Sequence, residues 1–508
     1  MTKRIFALFL LLITALLLFP ACNQKETSRR YKRTETELFD TVCSFSCAGD
    51  KEEFDRTADL LFEELARLDA LFDVYEEREG MNTLFTVNKM AGVAPVKVDP
   101  LLIDFFLYIN QLPKDLTALA HPMMGAVTLL WKEGQKTGVP PGQASLDLAK
   151  NHIDPSSLIV NEEEGTLFIS DPDARLDVGA FAKGYAGRLC VALLEKRQVN
   201  DYLLSLGGSI YAKGTDPTTG KPFRIGVQDP FKTEDSPLLS VPLTDRSLTT
   251  SGSYRRFFSH EGTIYHHIID PETAAPSARS DTLSVSVFAA DPALGDLLST
   301  VLFILPPQDG KALLESPQMR ALDPSLSALW IDGKGEITHS DGFPCDPPFT
   351  PSHDALFALF LLAAVALLVL LLLILRKKQG FSAFVKKHPL FFSKKNLIFL
   401  AVIAVICALL LCTLSALPTA KGKVAVVRHK GQVVKILPLS NDTEYLFVCD
   451  AGENLIVIKD GRVSVKEASC RGNDCVKAGG LDAGQTLEVI ACLPHGLTIT
   501  VEEGENHE

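Results

Sequence analysis

The chain is short of positive charge. It sets 50 Lys and Arg against 62 Asp and Glu, a formal net charge of -12, and that acidic balance argues against a nucleic-acid partner. Signatures of several common enzyme classes are missing as well. There is no nucleophile elbow for an acyl hydrolase and no Walker-type loop for a nucleotide triphosphatase. No early strand–GxGxxG–helix unit supports a dinucleotide dehydrogenase. No carboxylate pair is spaced for glycoside hydrolysis. Function must be sought in smaller motifs.

At 508 residues the chain can build a large core and more than one domain. Its mean hydropathy of +0.15 owes much to three apolar runs. The first, 5–18, follows Lys3 and Arg4 and leads into Phe19-Pro20-Ala21-Cys22, the layout of an export signal. The Ala-Cys junction is similar to a bacterial lipoprotein site with Cys22 as the lipidated residue, the alternative being an uncleaved anchor. The other runs, 355–375 and 397–414, approach the roughly 20 residues that cross a bilayer. Between them, 376–396 carries Arg376, Lys377, Lys378, Lys386, Lys387, Lys394 and Lys395, and short basic loops stay in the cytoplasm. The pattern predicts a two-helix transmembrane hairpin in the inner (cytoplasmic) membrane. Both flanking domains would face the periplasm or cell exterior, with membrane lipid as a partner.

Periodicity predicts helices over 52–72, 99–112 and 121–134, a short helix over 140–148 and a hairpin over 158–170. Strands are expected over 33–45, 202–213, 223–227, 238–243 and 284–289. Gly207-Gly208 interrupts the second of these, either for close approach to a ligand or as a bulge. Cys43 and Cys47 leave a disulfide open. Many strands mixed with helices, without regular alternation, predict an α+β fold over 33–340. Residues 422–505 read as a small all-β domain holding Cys449, Cys470, Cys475 and Cys492. These cysteines admit disulfides, a redox pair, or ligands to a metal or cluster; an exported location favours disulfides.

The chain is organised around 176–187, LDVGAFAKGYAG. Asp177, the turn at Gly179 and Lys183 at a helix start suit a ligand carrying phosphate and metal. Downstream lie SLGGSIYAKG (205–214), TTSGSYRRFF (249–258), YHHIIDPETAAP (265–276) and AADPALGDLLSTVLF (289–303). Asp296 and Thr300 are four apart and share one helical face. A carboxylate and a hydroxyl there suit Mg²⁺, or else a helix cap and an ordinary buried threonine. His266 and His267 precede a proline turn, and an imidazole of pKa about 6.5 is an apt proton acceptor. His267 is the choice for general base or substrate orienter, with Asp270 to steer it or to line the ligand site, against the plain reading of satisfied strand-end histidines.

Together and in this order, the motifs resemble the ApbE-like FAD:protein FMN transferase family over about 35–333. The resemblance implies FAD as substrate and Mg²⁺ held by Asp296, Thr300 and the Ala180 carbonyl. It places Phe39, Tyr75, Asp177, Lys183, Ser251, Gly252 and His267 against the flavin nucleotide. FMN would pass to a threonine or serine hydroxyl of an exported acceptor protein in a membrane redox complex, releasing AMP. Phe39-Asp40-Thr41 stands where the family has Met-Gly-Thr, and Ala120-His121 where it has Phe-Asp. The same site could serve a Mg-dependent FAD pyrophosphatase, or a non-enzymatic FAD-binding assembly subunit. The final domain resembles the second domain of NusG, without the transcription role of its cytoplasmic relatives.

Overall fold

The computed structural model describes residues 30–231, 237–345, 423–470, 474–482 and 489–503. The larger unit opens with β1 (Arg30–Leu38) and β2 (Thr41–Ala48). Leu38 pairs with Thr41, so Phe39 and Asp40 alone make the turn, with φ of 53° and 52°. The single strand expected over 33–45 is thus corrected to a hairpin. Two-residue turns of this kind usually announce themselves with Asn-Gly or Asp-Gly. Here a phenylalanine takes the left-handed conformation, and its N–H is held by Asp69 Oδ1 at 2.8 Å.

Helix α1 (Lys51–Phe72) starts on Asp50, whose side chain accepts from the Glu52 and Glu53 N–H groups. Leu61, Leu65, Leu68 and Phe72 repeat at three- and four-residue spacing and are buried. Then follow α2 (Leu84–Lys89), α3 (Pro100–Gln111, capped by Asp99) and α4 (Gly125–Thr137, closed by left-handed Gly138). Strands β3 (Leu158–Asn161) and β4 (Thr166–Ile169) form the expected hairpin, and α5 spans Ala182–Lys196. Strands β5 (Tyr202–Leu206) and β6 (Ser209–Lys213) are joined by Gly207-Gly208, whose φ values of 59° and 102° make a tight turn. The glycine pair is therefore a hairpin turn and not a bulge. The remaining elements are β7 (Phe223–Gln228), β8 (Pro237–Leu243), β9 (Arg246–Gly252), β10 (Phe257–His260), β11 (Thr263–His266), β12 (Thr282–Ala289), α6 (Pro292–Ile304), β13 (Ser327–Asp332) and β14 (Ile337–His339).

The main sheet is antiparallel throughout, in the order β1-β2-β5-β6-β9-β12-β13-β14. Alternation along each strand divides its side chains between two cores. Val285, Val287, Ala328 and Trp330 join a core with Leu65 of α1, Leu194 of α5 and Leu297 of α6. Leu248, Leu329 and Ile331 pack instead with Phe223, Ile225 and Val241 of the β7–β8 hairpin. This is the expected α+β architecture. Cys43 and Cys47 are separate buried thiols. Four residues apart on one strand, they are separated by roughly 13 Å, beyond reach of a disulfide.

The smaller unit holds β15 (Lys423–His429), β16 (Gln432–Pro438), β17 (Thr443–Cys449), β18 (Gly452–Lys459), β19 (Arg462–Ala468), the one-turn α7 (Asp474–Lys477), β20 (Gly480–Asp482), β21 (Val489–Cys492) and β22 (Leu497–Glu503). They form two antiparallel sheets, β16-β15-β22-β21 and β17-β18-β19-β20, around Val427, Phe447, Ile456, Ile490 and Ile499.

The membrane expectations need correction. Among the described residues no helix is long and apolar enough to cross a membrane. Helix α1 has the length, at 22 residues, but one face carries charges; α6 is apolar but only 13 residues long. The expected spans 355–375 and 397–414, their loop 376–396 and the export signal with Cys22 lie outside the described residues. The described residues form an α+β unit and a small β unit, and among them there is no membrane-spanning helix. The inner-membrane location with outward-facing domains, and the signal and lipoprotein assignments, are accordingly unsupported.

Candidate active site

The organising loop is held from two sides. Asn88, buried on α2, donates from Nδ2 to the Leu176 carbonyl at 3.1 Å, and its Oδ1 accepts from the Leu176 N–H at 2.6 Å. One side chain thus does for Leu176 what a neighbouring strand would do. On the other side the Asp177 N–H donates to the Pro122 carbonyl at 2.7 Å. The Asp177 carboxylate accepts from Thr128 Oγ1 at 2.6 Å and from the Gly179 N–H at 2.8 Å. Lys183 follows in the first turn of α5, with Nζ 3.3 Å from the Gly179 carbonyl.

Helices α5 and α6 meet at Gly184. A Cβ there would lie 2.4 Å from Asp296 Cβ and 2.5 Å from the Pro292 carbonyl oxygen, so only glycine fits. The contact lets the Gly184 N–H reach Asp296 Oδ2 at 2.8 Å. Asp296 is only 5 % exposed. Burial holds its carboxyl above the ordinary carboxylate range, against the opposing pull of Lys183 and the Gly184 N–H. Ser299 Oγ donates to the Asp296 carbonyl at 2.8 Å and lies 2.7 Å from Ser251 Oγ, tying α6 to β9. Thr300 is half-buried one turn beyond Asp296, and Ala180 is half-buried two residues before α5. Among the described residues no ion pair neutralises Asp296. A buried carboxylate met by one amide is costly unless a cation completes it. Carboxylate, hydroxyl and carbonyl are all hard oxygen donors, so this set fits Mg²⁺.

His266 and His267 have different surroundings. His266 Nδ1 accepts from the Ile268 N–H at 3.3 Å, which leaves Nε2 to donate to the Ser277 carbonyl at 3.1 Å. Both of its nitrogens are occupied. His267 Nδ1 lies 3.2 Å from the Arg256 carbonyl, which can only accept. Nδ1 therefore carries the proton, and Nε2 keeps its lone pair. By surface area the His267 ring is open to solvent, whereas its pKa is pushed down to about 4, first by burial and next by the Arg256 charge. The charges of Arg256 and Lys183 oppose its protonation as well. Asp270 is not beside it in any contact. Its carboxylate, 1 % exposed, takes both Arg279 Nε at 2.5 Å and Nη2 at 2.7 Å, with the Glu272 N–H at 2.9 Å. Burial alone would raise its pKa; Arg279 and the Glu272 N–H reverse that and hold it low. Asp270 shapes the proline turn.

Charged groups surround these residues. Lys132 Nζ sits 3.0 Å from the centre of the Tyr75 ring. Burial is the main influence on both groups, and the charges of Asp40, Asp177 and Arg256 act on both. Arg256 Nη2 donates to the Asp40 carbonyl at 2.8 Å, fastening the strained Phe39-Asp40 turn to the segment before β10. Lys183 acts on Asp296 and on His267 alike. Gly252 lies under the Tyr254 ring, where a Cβ would come within 2.5 Å of Cε1. His121 is buried, its Nδ1 has no hydrogen-bond partner, and burial pushes its pKa down to about 4. Asn88, Lys132 and Ser299 escaped sequence reasoning, whereas the sequence singles out Arg256 for phosphate rather than for the Asp40 and His267 contacts it makes. Asn88 had no signal, since its partner lies 88 residues away.

Comparison with known proteins agrees with this geometry. Residues 39–322 match the family model described as ApbE family, and 397–505 match NusG domain II. The second match takes in 397–414, once expected to be a membrane span. A Treponema pallidum protein named FAD:protein FMN transferase is 29 % identical over 341 residues, covering 63 % of this chain and 90 % of the relative. The Escherichia coli K12 protein of that name is 26 % identical over 310 residues, covering 60 % and 88 %. In fold, the chain is similar to the ApbE protein of Thermotoga maritima, with a TM-score of 0.52 at 23 % identity over 62 % of this chain and 98 % of that one. The Vibrio cholerae flavin transferase ApbE gives 0.53 at 19 % identity, with the same coverage. With more than half its length matched and its polar site built from the same motifs, the chain belongs to the ApbE family and is a flavin transferase that passes FMN to a partner protein.

Proposed function

We propose that the site carries FMN from FAD to a threonine or serine hydroxyl of an electron-transfer protein, with AMP as the leaving group. The observation that carries this reading is His267. Its Nδ1 proton is committed to the Arg256 carbonyl, and its Nε2 is a neutral base at physiological pH. Lys183, in the first turn of α5, would offset phosphate charge, with Asp177, Tyr75 and Lys132 beside the flavin nucleotide. Ser251 and Gly252, at the end of β9, would line the flavin site. The acceptor hydroxyl attacks the FMN-side phosphorus while Nε2 takes its proton. A new P–O bond forms, and the bond to the AMP phosphate breaks with its electron pair leaving on AMP. Asp296, Thr300 and the Ala180 carbonyl would hold Mg²⁺, which supplies charge neutralisation at the pyrophosphate. Asp270, paired with Arg279, keeps the His267 turn in place.

The test is mass spectrometry on a candidate acceptor incubated with the full chain, FAD and Mg²⁺. The expected result is one FMN adduct on threonine or serine and one AMP released, both lost in Asp296→Ala. Free FMN without adduct would point to hydrolysis. FAD bound and unchanged, with acceptors that related enzymes modify, would sink the transfer reading.

A further inference from the structure

The small unit contains a second constellation that flavin transfer does not use. Cys470 follows β19, Cys475 lies on α7 and Cys492 ends β21, so three separate elements bring three buried thiols to one point. Their sulfur atoms all lie within 4.8 Å of one another. Cys470 Sγ and Cys475 Sγ are 3.8 Å apart. A disulfide needs about 2.05 Å. Four ligands about 2.3 Å from a zinc ion stand about 3.8 Å from each other at the corners of a tetrahedron. The spacing suits sulfurs that share an ion rather than a bond, and a C-x4-C run is not a standard iron–sulfur pattern.

The surroundings point the same way. Asn454 on β18 is fully buried, and its Nδ2 donates to Cys475 Sγ at 3.3 Å. Its Oδ1 is held by His495 Nδ1 at 2.5 Å, which sets the amide with its NH₂ towards the sulfur. His495 is itself buried and packed over Gly452, where a Cβ would lie 2.6 Å from Nε2. An amide fixed from behind and aimed at a sulfur is the outer-shell arrangement that supports a metal-bound thiolate.

We propose that Cys470, Cys475 and Cys492 form a three-thiolate site that binds one thiophilic metal ion of the zinc class, with Asn454 and His495 as its positioning residues. Binding releases the three thiol protons and changes no oxidation state. This replaces the disulfides favoured for these cysteines from location alone, and it is independent of the flavin site.

The experiment uses the full chain, reduced and stripped of metal by chelator, then titrated with Co²⁺ alone and afterwards with Zn²⁺. One equivalent of Co²⁺ should produce sulfur-to-cobalt charge-transfer absorption, which Zn²⁺ abolishes. Cys475→Ser and Cys492→Ser should lose the signal, Asn454→Ala should weaken binding about 10- to 100-fold, and Cys190→Ser, in the other unit, should keep it. Because serine variants can misfold, alkylation of the unaltered chain is read as well, and Zn²⁺ should protect these three cysteines and no others. The proposal is overturned if the reduced chain takes up no Co²⁺ with that absorption. It is equally overturned if the serine variants bind unchanged, or if Zn²⁺ leaves the three thiols as reactive as before. Flavin transfer on the same samples reports separately on the other site.

Discussion

Gly184 is where a single methyl group decides the most. In an ordinary helix, alanine is favoured over glycine by about 1 kcal/mol. Here the added Cβ would sit 2.4 Å from Asp296 Cβ, and overpacking of that kind costs about 1–3 kcal/mol. Gly184→Ala should therefore lower the thermal midpoint and depress transfer by moving Asp296. A midpoint at or above that of the unaltered chain would show that the helices part without penalty. His267→Gln should slow transfer about 100- to 10,000-fold with FAD affinity nearly unchanged, as for a proton acceptor. Since His267 stays neutral down to about pH 4, the transfer rate should show no histidine limb near pH 6.5. A limb there in the unaltered chain, absent from His267→Gln, would contradict the assignment. His121 affects stability instead. Its pKa of about 4 in the folded chain lies below the ordinary 6.5, so the unfolded chain binds more protons between those values. Stability should therefore fall as pH drops from about 6.5 towards 4, and His121→Gln should flatten that slope in urea titrations at stepped pH.

Among the elements, α2 contributes little core but holds the loop that begins at Leu176 through Asn88. Asn88→Ala removes two hydrogen bonds and strands a buried N–H and a buried carbonyl of Leu176. The expected loss is about 3 kcal/mol in urea unfolding, with weaker FAD binding. If stability falls but flavin affinity is untouched, the loop keeps its shape without the clamp. The α5–α6 crossing was partly legible in the sequence. Asp296 and Thr300 at helical spacing and the Lys183-Gly184 pair suggested two helices carrying ligands. That the two pack against each other, with the Gly184 N–H on the Asp296 carboxylate, was not. The same limit applies to Asp270. Its place beside His267 in sequence suggested a catalytic pair, whereas Arg279 claims it in space.

On the scale of the whole molecule there are separate cores. Leu297 belongs to the large unit and Ile499 to the small one, and the two clusters share no residue. Calorimetry should resolve two transitions. Leu297→Ala should lower one and Ile499→Ala the other, each by about 2–5 kcal/mol of local stability. A single transition shifted by both would mean the units unfold together.

The amino-acid sequence by itself determined the α+β class, the small β unit, most helices and the order of motifs that identifies the family. These depend on local periodicity and on short motifs, which a linear reading can see. It also suggested a membrane hairpin from two apolar runs and the basic loop between them, and no helix among the described residues bears that out. Tertiary structure decided which nitrogen of His267 remains basic, which carboxylate stays without an ion pair, and which cysteines meet. Each of those depends on groups remote in sequence: Arg256 against His267, Gly184 against Asp296, and Asn454 against Cys475. Proton location, burial and sulfur spacing are properties of neighbours in space, and only the folded chain supplies them.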